Sequence, residues 1–120
     1  MILKEIIEKL GLEVRGKFSE LDSQVNNGYA SDLLSDVLAN AEEGSLWVTL
    51  QIHKNIVAVA GIKSLSGIIL INGREPEKET VEKAESENIP ILVSKLTAFE
   101  LIGRLYSLGV TGKKNDVKGV

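Results

Sequence analysis

The chain predicts an α/β fold: a single domain with a mostly parallel sheet of about four strands and helices on both faces. Three observations carry this. Residues 46–52, 68–71 and 91–93 are short runs, apolar or β-branched at nearly every position, as strands covered on both faces require. Helical patterns alternate with these runs, the order of right-handed βαβ units. Each run also ends in polar residues that lead straight into the next helix. No internal repeat interrupts the series.

Taken in order, Ile2, Leu3, Ile6, Ile7 and Leu10 fall on one stripe of a helix that Gly11 is placed to end. Lys4, Glu5, Glu8 and Lys9 occupy the rest of its surface, so the N-terminus reads as an amphipathic helix and not as a secretion signal. Residues 12–14 are a short extended segment. The irregular stretch 15–23 reads as a surface loop anchored by Phe18 and Leu21. Asn26, Asn27 and Gly28 tolerate positive φ, so 24–29 is either a weak strand or a turn. Ser31 and Asp32 stand as N-caps of a helix over 33–41, with Leu33, Leu34, Val37, Leu38 and Ala41 facing inward. Glu42, Glu43 and Gly44 break it.

The strand over 46–52 comes next, and Trp47 within it reads as core more readily than as a stacking platform. A helix over 54–62 follows. Its Ile56, Val57, Val59 and Ile62 leave almost no polar face, and Ala58, Ala60 and Gly61 permit close approach. Beyond the turn at 63–66 and Gly67, the strand 68–71 exits through Asn72, Gly73 and Arg74. Pro76 suits the first turn of a helix over 77–87, with Glu75, Glu77 and Glu79 near the positive end of its dipole. Only Val81 and Ala84 are clearly apolar there, so this helix lies outermost. Asn88 stops it and Pro90 opens the strand 91–93.

Thr97 and Glu100 make a capping box for the last helix, 98–108. Phe99, Leu101, Ile102, Leu105, Tyr106 and Leu108 exceed what one core-facing stripe needs. Phe99, Ile102, Leu105 and Tyr106 are therefore interface candidates, against the alternative that the N-terminal helix covers them. Residues 111–120 set Lys113, Lys114 and Lys118 among Gly and Asn and read as a disordered tail. The chain divides into 1–28, a helix and loop packing on the core; 29–110, the α/β domain; and the tail, 111–120.

Bulk composition narrows the function. The 120 residues suit one domain, and 43% hydrophobic with 26% charged residues is ordinary for a globular chain. Fourteen basic against 17 acidic residues give a net charge of −3 with no basic run in the folded part, which argues against nucleic-acid binding. Cysteine is absent, so disulfides, thiolate metal sites and Cys nucleophiles are excluded. A single histidine without a carboxylate–histidine cluster argues against catalytic zinc. No metal or cofactor is expected. No apolar run approaches the roughly 20 residues of a membrane span, and the expected location is the cytoplasm.

The polar strand exits are where chemistry could sit. In a parallel sheet all exits share one edge, which would gather Gln51, His53, Lys54 and Asn55, then Asn72, Gly73 and Arg74, then Ser94, Lys95 and Thr97. If 24–29 is also parallel, Asn27, Gly28, Ser31 and Asp32 join them. Helix N-termini converge there, and Lys54, Arg74 and Lys95 add positive charge, a set suited to a phosphate-bearing or other anionic ligand. The same residues also serve as caps and turns without any ligand: Ser31 and Thr97 as caps, Asn72-Gly73 as a turn, His53 as a helix-start hydrogen bond.

Enzyme signatures are weak. Gly16-Lys17 has Gly11 where a P-loop needs its first glycine, but Phe18 replaces the metal-binding hydroxyl and the segment follows a helix. Gly112-Lys113 fails in the same way, with Ser107 for the first glycine and Lys114 for the hydroxyl. Neither a Gly-x-Ser-x-Gly elbow nor a Gly-x-Gly-x-x-Gly turn occurs, and no spacing supports a triad of His53, Asp32 and a serine.

Two stretches, YASDLLSDVLANAEEGSLWVTLQIHKNIVAVAG and GIILINGREPEKETVEKAESENIPILVSKLTAFELIGRLYSLG, give the chain a family resemblance. Over roughly residues 29–110 it resembles a DRTGG domain, with the strand, Gly turn, Pro-started helix, "IPIL" strand and Thr-Ala-Phe helix start of that family. It is similar in particular to short stand-alone members, often named by similarity to HPr serine kinase, some found near iron-hydrogenase and electron-transfer genes. The literal Asp-Arg-Thr-Gly-Gly string is absent, and the nearest similar turn is Asn72-Gly73-Arg74. The resemblance implies a regulatory or ligand-sensing α/β module, usually dimeric. The same domain stands beside HPr kinase/phosphorylase, phosphotransacetylase and the CBS domains of some pyrophosphatases.

The expected function is a non-catalytic regulatory module, a homodimer, binding an anionic metabolite or nucleotide at the strand-exit edge. The alternative is a protein-interaction or assembly factor acting through residues 98–108, linked to a redox enzyme. A weaker alternative is a small phosphotransfer enzyme or hydrolase using His53.

Overall fold

A strand buried on both faces needs a helical layer on each side, and the computed structural model, which describes residues 1–113, supplies both. The strands are β1 (Glu13–Val14), β2 (Asn27–Ala30), β3 (Ser45–Thr49), β4 (Gly67–Leu70) and β5 (Ile91–Val93). The helices are α1 (Leu3–Leu10), α2 (Leu34–Asn40), α3 (Asn55–Lys63), α4 (Lys78–Glu87) and α5 (Ala98–Ser107). The five-stranded sheet runs in the order β1-β5-β4-β3-β2. β2 to β5 are parallel neighbours, and β1 lies antiparallel on β5.

The sheet exceeds the expected strand count by β1, two residues long and too short to show a pattern. The ambiguous stretch at 24–29 is strand only from Asn27, and the strand runs on to Ala30; Asn27 sits opposite Ser45 and Gly28 opposite Leu46 at its start, so neither joins the exit edge as expected. Its weak signal has a cause. Asn27 is buried as a polar residue whose Oδ1 accepts from Ser45 Oγ at 2.6 Å.

Side chains alternate along β3, so Trp47 faces one layer while Leu46 and Val48 face the other. The first layer packs Val37 and Ala41, Ile56 and Ala60, and Ala84 (from the α2, α3 and α4 units) over Trp47, Ile68, Leu70, Ile91 and Val93. The second packs Leu3 and Ile6 of α1 and Leu101 and Leu105 of α5 over Leu46, Val48, Ile69, Ile71 and Leu92. Three helices on one face follow from the strand order. Successive crossovers of one hand, stepping the same way across the sheet, land on the same side. Trp47 is wholly buried, and its Nε1 donates to Ser31 O at 2.8 Å, which makes it core.

Several expectations require correction. Ser31 and Asp32 do not cap α2. Its N-cap is Leu33, with no side-chain bond, and Ser31 Oγ accepts from Leu33 N at 3.2 Å. Leu33 is 64% exposed and Leu38 is also exposed, because α2 has only seven residues and rests on the core through Val37 and the half-buried Leu34. Ile62 is 72% exposed, so α3 has an outer face of Ala58, Gly61 and Ile62 after all. The expected strand 46–52 ends at Thr49. Pro76 lies just outside α4, whose N-cap is Glu77. The capping box of α5 is half formed: Thr97 Oγ1 accepts from Glu100 N at 3.4 Å, while the Glu100 carboxylate turns to Arg104 Nε at 3.1 Å.

Gly11 ends α1 as expected, at φ 62°, its N–H donating to Ile7 O. After α5 the chain returns to the sheet edge, where Gly28 N donates to Thr111 O at 2.9 Å. Residues 114–120 of the expected disordered tail lie outside the described residues. Among the described residues no helix is long and apolar enough to cross a membrane.

Candidate functional site

All four parallel strands end on one edge, and the candidate residues there form two clusters with a bridge between them. The first lies at the exits of β2 and β3. Asp32 Oδ1 accepts from Thr49 Oγ1 at 2.8 Å and from Leu50 N at 2.7 Å. Gln51 Nε2 donates to Asp32 O at 2.9 Å, and Gln51 N to Thr49 Oγ1 at 3.2 Å. These bonds close the exit on itself.

The bridge ties α3 to α4. His53 Nδ1 lies 2.9 Å from Glu77 Oε1, and Lys54 Nζ lies 3.6 Å from Glu79 Oε2, all four side chains being largely in water. Below them Ile52 O accepts from Thr80 Oγ1 at 2.7 Å and from Glu77 N at 3.2 Å. The positive charge of Lys54 is thus matched by a carboxylate. Asn55 is exposed at the first position of α3.

The second cluster lies at the exits of β4 and β5. Asn72 at φ 57° and Gly73 at φ 65° make the turn expected of an Asn-Gly pair. Their amides donate to Leu96 O at 2.9 Å and to Ser94 O at 2.8 Å, which stitches the two exit loops together. Ser94 is buried and its Oγ accepts from Leu96 N at 3.2 Å. Gly73 lies close to the Lys95 side chain, so Arg74 and Lys95 stand on neighbouring loops. Both are exposed, and neither pairs with a carboxylate among the described residues.

The segment after Arg74 is anchored from the far edge strand. Arg15 Nε and Nη2 reach the Glu75 carboxylate at 2.6 and 2.8 Å, and Nη2 also meets Glu13 at 2.5 Å. Hydrogen bonds from Arg15 hold the Glu75 carboxyl below the usual carboxylate range, and those to Glu75 and then Glu13 push the guanidinium upward. Beside the cluster a recess of about 260 Å³ is lined by Glu13, Ser94, Lys95, Leu96 and Arg104.

The topology distinguishes this second cluster. The exits of β2, β3 and β4 all lead to helices on one face, but β5 leads to α5 on the other. Where neighbouring parallel strands send their chains to opposite faces, the edge outside their carboxyl ends is the usual place for a ligand. In this sheet that place is the edge between β4 and β5, where the Asn72 and Gly73 amides hold the two exit loops together, and not the exit of β3. The amides in the first turn of α5 precede the helix's own first bond, Leu101 N to Thr97 O at 3.0 Å, and open on the same edge.

Among solved structures, the chain is similar to one of the CBS and DRTGG domains of the regulatory region of Clostridium perfringens pyrophosphatase, complexed with activator, diadenosine tetraphosphate. The TM-score is 0.70 at 20% sequence identity. The match covers 97% of this chain and 52% of that one, so this chain spans about half its length. The fold is DRTGG-like. No family model and no curated protein matches the chain.

Within this DRTGG-like fold, four side chains beside the candidates were not foreseen as their partners. Thr49 is the hydroxyl that Asp32 holds, Glu77 and Glu79 face His53 and Lys54, and Glu75 takes Arg15. Glu75, Glu77 and Glu79 read in sequence as dipole partners of α4, and nothing local to them indicates pairing across β3 or β1. The four interface candidates separate: Leu105 is buried in the core, while Phe99, Ile102 and Tyr106 remain exposed although α1 packs on the same face as α5.

Proposed function

We propose that the chain is a non-catalytic regulatory module that senses an anionic metabolite or a nucleotide at the strand-exit edge, over the joined β4 and β5 exit loops. One observation carries the reading: β4 and β5 send their chains to opposite faces there, and Arg74 and Lys95 stand on the two joined exit loops without carboxylate partners among the described residues. Phosphate oxygens suit that set, two cations and helix-start amides in a protein otherwise acidic. Ser94, Asn72 and Gly73 shape the floor, and Thr97 orients the helix start. The pyrophosphatase regulatory region of like fold, complexed with a dinucleotide activator, supports a nucleotide as the first ligand to try.

Thermal-shift screening with diadenosine tetraphosphate, mononucleotides and phosphorylated metabolites, followed by calorimetry, tests the reading. A ligand of micromolar affinity is expected, weakened about tenfold or more when Arg74 and Lys95 are both replaced by Ala. No ligand tighter than millimolar across the panel would sink it.

A second reading, a protein-interaction or assembly factor, is favoured by α5, whose Phe99 is 93% exposed. It makes the outer face of that helix a partner surface.

A further inference from the structure

Glu75 follows Arg74 directly, so a carboxylate adjoins one of the two cations of the proposed anion site. Left free, it would repel an incoming phosphate and compete with it for Arg74 and Lys95. A residue from the far edge of the sheet prevents this. Arg15 Nε and Nη2 hold the two Glu75 carboxylate oxygens at 2.6 and 2.8 Å, a two-point grip that a guanidinium fork is shaped to make. Arg15 is itself fixed on both sides. Its amide donates to Ile91 O of β5 at 2.8 Å. Gly16, at φ 112°, then turns the chain away from the sheet, and an added Cβ there would meet the Phe18 ring at 3.1 Å. Beyond the turn, Lys17 N donates to the Glu85 carboxylate of α4 at 2.8 Å. Sheet and helix together therefore set where the Arg15 side chain starts. The loop it reaches is tied on either side of Glu75, by Arg74 N on Ile71 O at 3.1 Å and by Glu77 N on Ile52 O at 3.2 Å.

We propose that Arg15 is a positioning residue for the anion site: it masks Glu75, and so sets the affinity of the β4 and β5 exit loops for phosphate oxygens without touching the ligand. The inference rests on the anion-site reading of those loops and names what tunes them. Removing Arg15 alone frees one negative charge beside Arg74. Removing Arg15 and the Glu75 charge together leaves the local net charge as it was. The two changes therefore differ in charge while both lose the same ion pair.

Calorimetry on the full chain tests it, with inorganic pyrophosphate and diadenosine tetraphosphate as probes. Arg15→Ala is expected to keep the parental circular dichroism and to weaken binding about fivefold. Glu75→Gln should bind at least as tightly as the parent. The double variant, Arg15→Ala with Glu75→Gln, should recover the parental affinity. A purely structural role for Arg15 would not be reversed by removing its partner as well. A parent chain that binds a probe and is indifferent to Arg15→Ala overturns the inference and leaves the anion-site reading standing. A double variant as weak as Arg15→Ala also overturns it, because Arg15 would then act by its own contact or by packing. A parent chain that binds neither probe overturns it too, and the wider ligand panel then decides the reading of the site.

Discussion

Asp32 carries more of the structure than its place before a helix implies. One carboxylate oxygen holds the Thr49 hydroxyl and the Leu50 amide together, and Thr49 is buried. Asp32→Ala would leave that hydroxyl without its acceptor, at a cost of about 1–3 kcal/mol. Asp32→Asn keeps an acceptor and should lose less; urea denaturation of both variants measures the difference. Glu75 makes a pH prediction. Its carboxyl sits below the usual range because Arg15 hydrogen-bonds the ionised form. Such a group contributes stability above its unfolded value, and the contribution disappears as pH falls through the folded one. The pair is largely solvated, so the contribution is at most about 1 kcal/mol. Arg15→Ala should lower the urea midpoint slightly at neutral pH and not at all once Glu75 is protonated. An equal loss at both would assign the effect to Arg15 packing.

At the scale of elements, caps and glycines decide where the chain turns. Thr97 accepts from Glu100 N and starts α5 just after the β5 exit. Thr97→Ala is expected to cost about 0.5–2 kcal/mol and to weaken any ligand bound at that helix start. Thermal melts with and without ligand separate the two effects. Gly44 enters β3 at φ 79°, and a Cβ there would collide with the Asn26 side chain. Gly44→Ala should therefore destabilise by more than about 1 kcal/mol, measured by chemical denaturation. Helix α2 shows why amphipathicity misleads in short elements. Its apolar stripe is wider than the strip of sheet available to it, so Leu33 and Leu38 are left in water.

On the scale of the whole molecule, three helices cover one face and two the other, with Trp47 buried between α2, α3 and the sheet. Trp47→Ala should cost about 3–5 kcal/mol, as large-to-small core changes do. Trp47 is the single tryptophan, so its emission should shift to the red in one transition that coincides with the loss of far-ultraviolet dichroism. The same layering makes helical cover change face between the β4 and β5 exits and leaves the two-helix face thinly covered at the rim of β2.

The sequence by itself determined the three buried parallel strands, most helices and the polar strand exits, because periodicity, turn residues and breakers act over a few positions. Runs 68–71 and 91–93, the Asn72-Gly73 turn and Gly11 are legible without any neighbour. Only the tertiary structure decided that Asp32 reaches Thr49, that Glu77 and Glu79 answer His53 and Lys54, and that Ile62 and Phe99 face outward. Those outcomes depend on strand order and on the face each crossover takes. Both are long-range choices, fixed by how whole apolar surfaces pack and not by the residues adjoining each one.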